Sequence, residues 1–140
     1  MDIQSFVLIG VEIIQPFRTS RVTSDVNQWE GVPTYRIGPN TDGKIIQHVD
    51  YPIIRTKKTH RATITVRTSF SLTLNTPEYK PKTDEDFEVY TFFAILAMSH
   101  ARAFFMREAK GTPFEGDILP ADYITGIRNK LVLAVSINSN

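Results

Sequence analysis

The chain is 140 residues long, 41% hydrophobic and 22% charged, which suits one compact domain and leaves no room for two. The lack of cysteine excludes disulfides, thiolate zinc sites and cysteine nucleophiles together. Sixteen Lys and Arg against fifteen Asp and Glu leave a formal charge of +1, so bulk electrostatics does not point to a nucleic acid or an anionic membrane as partner.

The opening Met1-Asp2-Ile3-Gln4 lacks the basic stretch and small-residue cleavage site of a secretory signal, and a cytoplasmic location is expected. Phe6 to Ile14 is apolar at nearly every position, with Glu12 its only charge. It reads as a strand covered on both faces or lying at the centre of a sheet, ended by Pro16. Thr19 to Asp42 is broken by Gly31, Pro33, Gly38 and Pro39, with the sole tryptophan, Trp29, in its middle. This predicts a long connection carrying one short strand around Thr34 to Ile37. Lys44 to Ile54 has β-branched content and reads as a strand, and its Pro52 suits a strand edge or a bulge.

The clearest signal is Arg61 to Asn75. Ala62, Ile64, Val66, Thr68, Phe70, Leu72 and Leu74 share one parity, and Thr63, Thr65, Arg67, Ser69, Ser71 and Thr73 the other, as in a half-buried strand. The polar parity extends backwards through Thr59, Lys57 and Arg55, which predicts a cationic stripe of Arg55, Lys57, Arg61 and Arg67 on one solvent face.

Pro77 and Pro81 interrupt the chain, and Thr83 with the acids Asp84, Glu85 and Asp86 announces a helix running to Lys110 and closed by Gly111. Phe87, Tyr90, Ala94, Ala97, Met98, Ala101 and Phe105 form one stripe at helical spacing, while Phe92, Phe93, Leu96 and Phe104 occupy other faces. A helix this apolar needs cover on more than one side, which points to self-association. Val89 to Met98, its densest apolar run, is shorter than the ~20 residues of a membrane span, and no membrane crossing is expected. Thr112 to Leu119 reads as a connector, and Pro120 as the first residue of a second helix bearing Tyr123, Ile124, Ile127 and Leu131 on one face.

The stretch from Tyr90 to Ile127 resembles the C-terminal half of SecB-type export chaperones. The resemblance is carried by Ile95-Leu96 and Ala101-Arg102 in the long helix, Lys110-Gly111-Thr112 at its end, and Pro120 followed by Asp122-Tyr123. It implies an α+β domain in which an antiparallel sheet of about four long strands is followed by two C-terminal helices, the whole chain forming one SecB-like domain. It also implies a dimer or tetramer stacked through the long helix, with Ala94, Ala97, Met98, Ala101 and Phe105 at the interface and the small alanines allowing close approach. Unfolded polypeptide clients would lie in aromatic grooves, where the resemblance places Phe114 and Tyr123 beside the connector and Phe92 with Phe93 on the facing helix. Members of the family serve protein export through the SecA motor or act in toxin-antitoxin systems. The near-neutral charge and the basic strand face speak against a SecA handover here.

Catalysis is not expected. His48, His60 and His100 have no partners at ligand spacing, so neither a metal nor any other cofactor is called for, and no serine elbow, phosphate loop or H-E-x-x-H motif is present. The acids at 84–88 are explained by a helix N-terminus. The alternatives to an ATP-independent holdase are a SecB-like structural or adaptor oligomer and a nucleic-acid-binding sheet using the basic face. That face carries Thr and Ser where bases would need aromatic rings, so a solvated surface is favoured over a nucleic-acid partner.

Overall fold

A computed structural model describes residues 2–23, 26–76 and 86–117. Among these residues five strands, β1 (Ile3–Arg21), β2 (Asn27–Glu30), β3 (Thr34–Ile37), β4 (Lys44–Lys57) and β5 (His60–Leu74), are followed by one helix, α1 (Phe87–Glu108). The sheet is antiparallel throughout, in the order β1-β5-β4-β2, and β3 also pairs with β4. The expected second helix lies outside the described residues.

β4 and β5 form the frame because both carry sustained period-two patterns in matching register. Ile45, Val49, Tyr51 and Ile53 of β4 lie beside Leu72, Thr68, Val66 and Ile64 of β5, and all are buried. α1 covers this face with Phe93, Ala94, Ala97, Met98, Ala101 and Phe105, all buried. Alanines in the contact let the helix approach the sheet closely, and the larger side chains fill the ends. Glu88–Glu108 is long and apolar enough, with a mean hydropathy of 1.3, to satisfy a membrane span by length and composition. Here much of that apolarity is spent on the sheet.

Three expectations are corrected. The first apolar strand is neither central nor covered on both faces: among the described residues β1 is the edge strand, paired only with β5, and Phe6 to Ile9 are exposed. It does not end at Pro16 either, because register shifts between Ile13 and Gln15 and between Gln15 and Arg18 place the proline in an irregular stretch of an edge, where a missing N–H removes no ladder bond. Finally, the cationic stripe is split. Lys58, at φ 55°, and Thr59 form a two-residue turn between Lys57 and His60. The turn pairs Arg55 with Ala62 on the helix face and Thr56 with Arg61 on the outer face, so Arg55 and Lys57 do not share a surface with Arg61 and Arg67.

The connection around Trp29 is more ordered than its breakers imply. β3 forms at 34–37 as expected, and β2 forms as well, both on the same edge of β4. Between them, Gly31 lies so close to Pro52 that a Cβ would stand 2.0 Å from its carbonyl oxygen. That carbonyl faces the gap between β2 and β3, and so does the ring nitrogen of Pro52, which explains a proline in a central strand. α1 starts later than expected, with Asp86 as N-cap, and ends at Glu108 rather than Lys110. Turns then carry the chain to Asp117, with Gly111 at φ 78°.

Candidate functional site

The apolar surface that the domain leaves uncovered is concentrated where the first half of β1 meets the start of α1. Phe6 and Leu8 pair with Leu72 and Phe70 and so lie on the helix side of the sheet, yet α1 runs over β4 and β5 and leaves them 42% and 47% exposed. Ile3, Gln4, Ser5 and Phe6 form one wall of a groove of about 520 Å³, and Glu88, Val89, Phe92 and Phe93 form the other. The aromatic rings are graded from core to solvent. Phe93 stands 4.6 Å from Phe70 inside the core, Phe6 stands 5.2 Å from Phe93 and 5.7 Å from Phe92, and Phe92 is 48% exposed. The edge-on geometry of Phe6 against both helix rings is a favourable one for aromatic pairs.

Of the described side chains expected to hold a client, only Phe92 reaches open groove surface. Phe93 is its buried floor, and Phe114 is fully buried, 6.3 Å from Phe105. Tyr123 lies outside the described residues. The residues expected at a subunit contact, Ala94, Ala97, Met98, Ala101 and Phe105, are at most 5% exposed within a single protomer, facing its own sheet. The outward face of α1 is instead Phe92, Leu96, Ser99, Ala103 and Met106, with Leu96 half-buried and the rest exposed. Spacing alone could not separate the two stripes, because both are apolar at helical period. Phe6 was missed because β1 reads as a covered strand.

The polar groups of the sheet are arranged as pairs between strands and between a strand and α1. Arg67 donates from Nε and Nη2 to both carboxylate oxygens of Asp50 at 2.7 and 2.9 Å, and these hydrogen bonds hold the guanidinium above its usual pKa. His48 Nδ1 is 2.6 Å from Ser69 Oγ, and His100 Nδ1 is 3.1 Å from Thr68 Oγ1. The Tyr35 hydroxyl donates to the carbonyl of Tyr90, and burial, with Tyr90 beside it, pushes this phenol well above its ordinary value. Among the described residues no three metal-ligating side chains come together.

A second polar cluster ties the end of the sheet to the segment after α1. Arg55 donates to Asp117, Asn27 and the carbonyls of Gln28 and Thr56, with its guanidinium carbon 4.6 Å from the centre of the Trp29 ring. Lys57 donates to the other oxygen of Asp117. Trp29 in turn stands 5.4 Å from Phe105, so the connector, β2 and the end of α1 are held as one unit.

No protein-family model and no curated protein matches the sequence. Among solved structures, the chain is similar to the Mycobacterium tuberculosis Rv1957 SecB-like chaperone, determined in complex with a ChAD peptide from the Rv1956 HigA1 antitoxin. The superposition covers 84% of this chain and 93% of that one, with a TM-score of 0.51 and 11% sequence identity. At that identity the likeness is one of fold. An antiparallel sheet with the long helix laid across one face is a SecB-like α+β arrangement.

Proposed function

We propose that the protein is an ATP-independent holdase that binds apolar segments of unfolded polypeptides, acting in the cytoplasm by binding alone, without catalysis or a cofactor. The observation that carries this reading is the groove between β1 and α1, where Phe6 and Phe92 remain exposed beside a rigid buried ring, Phe93. Rings held from behind by a core present apolar area at little cost in side-chain entropy, and few polar groups impose a sequence on the guest. The likeness in fold to a SecB-like chaperone that binds an antitoxin peptide supports polypeptide clients. It favours a role of the toxin-antitoxin kind over delivery to an export motor.

Self-association belongs to the same proposal, moved from the buried alanine stripe to the outward face of α1. Leu96 and Met106 supply apolar area there, and Ser99 with Ala103 allow two helices to approach closely, leaving Phe92 to the groove. A dimer or tetramer built on this face would line up several grooves for one long client.

The test is suppression of aggregation of a chemically denatured protein diluted into buffer without nucleotide. A holdase suppresses it at near-stoichiometric ratio, and Phe92→Ser weakens the effect. An adaptor or structural oligomer with the same fold leaves the aggregation rate unchanged, and that result would sink the proposal.

A further inference from the structure

At the opposite end of β1 from the groove, the sheet carries an excess of positive charge that no described residue neutralises. Val22 N–H donates to the carbonyl of Thr59 at 2.8 Å, closing the end of β1 onto the turn between β4 and β5. The closure leaves an open recess of about 640 Å³ lined by Arg21, Val22, Thr23, Thr59 and Arg61. None of these described lining residues is acidic. The Arg21 side chain is exposed and has neither an ion pair nor a hydrogen bond among the described residues, and among them the Arg61 guanidinium donates only to the hydroxyl of Thr56. Arg18 follows on the outer face, opposite Thr63 and diagonal to Arg61.

Among the described residues, Asp50 is engaged by Arg67 and Asp117 by Arg55 and Lys57. In a chain of net charge +1, guanidinium groups flanking one strand end, with Arg21 opposite His60 on the helix side and Arg61 and Arg18 on the outer side, are a local asymmetry that an anion in the recess relieves. Guanidinium forks match carboxylates two hydrogen bonds at a time, and the threonine hydroxyls can donate further bonds.

We infer that this recess docks an acidic segment of a partner polypeptide. A polypeptide is favoured over a nucleic acid because the described lining carries an aliphatic side chain and two hydroxyls but no aromatic ring on which a base could stack. The site is separate from the apolar groove, so the two can fail independently.

Fluorescence anisotropy of the full chain with a labelled oligoglutamate peptide tests the inference, with oligothymidylate as the competing probe. Saturable peptide binding is expected, weakening about tenfold between ~50 and ~300 mM salt as exposed charges are screened. Arg21→Gln with Arg61→Gln should weaken it by about tenfold or more, since both forks are lost. Arg21→Gln alone, at an exposed position, should give a smaller loss without changing the melting temperature. Aggregation suppression should survive the double substitution, and Phe92→Ser should leave peptide binding unchanged. Absence of saturable peptide binding, binding indifferent to both arginines, or tighter arginine-dependent binding of oligothymidylate would each overturn the inference.

Discussion

Arg55 and Asp117, separated by 62 residues, meet through Nε and Oδ2 at 3.1 Å, with side chains only 6% and 14% exposed. The pair pins the segment after α1 to the end of β4, and Lys57 takes the second carboxylate oxygen. Removing one member of a buried pair leaves the other charge desolvated, a cost that exceeds the net strength of the pair itself. Asp117→Ala is therefore expected to destabilise the domain by about 2–3 kcal/mol, moderated because Asn27 and two carbonyls still hold Arg55. Chemical unfolding followed by Trp29 fluorescence measures this directly, since the indole lies against Arg55. An unchanged midpoint would mean that the connector is held by Phe114 alone.

Gln47 is completely buried on the helix face of β4, opposite Phe70, and neither its amide oxygen nor its amide nitrogen has a hydrogen-bond partner among the described residues. An unpaired buried amide costs roughly 1–3 kcal/mol in protein cores. Gln47→Leu or Gln47→Met, close in volume, is expected to raise stability by about 1–2 kcal/mol. The readout is a higher melting temperature with an unchanged denaturant slope. A loss of stability would point to a bound water that satisfies the amide.

Phe92 and Phe93 are adjacent in the chain and opposite in role. Phe93→Ala empties a packed core position and should cost ~3–5 kcal/mol of stability. Phe92→Ala should leave the melting temperature nearly unchanged and weaken client binding by about 1–2 kcal/mol through lost apolar area. Paired thermal unfolding and client titration separate the two. Equal loss of stability in both variants would place Phe92 in the core and remove it from the groove.

The two faces of α1 are separable by charge insertion. Ala97→Glu buries an unpaired carboxylate against β4 and β5 and is expected to unfold the protomer. Ala103→Glu, on the outward face, should leave the circular dichroism spectrum intact and lower the mass seen by light scattering to that of a protomer. If Ala103→Glu leaves the mass of an assembly unchanged, the subunit contact lies elsewhere, with the exposed edge of β1 as the next candidate.

Residue order alone decided the elements whose signal is local. The alternation from Ala62 to Leu74 requires a strand with one buried face, the residues from Thr34 to Ile37 stand out as a short strand between breakers, and the apolar run after Asp86 reads as a helix. What tertiary structure decided is which neighbour each apolar surface receives. Period two shows that a strand has two faces but not whether a pairing strand lies on each side, so β1 could be read as central when it is the edge. Lys58 and Thr59 carry no glycine to announce a turn, yet those two residues reverse the chain and send Arg55 and Arg61 to opposite faces. Helical spacing groups Ala97 with Ala101 without saying whether a sheet or a second helix meets them, and it was the width of the β4 and β5 frame that took the alanines inward and left Phe92 and Met106 outside. Local periodicity is set by backbone geometry within a few residues, whereas cover is set by how much surface the rest of the chain can bring to bear.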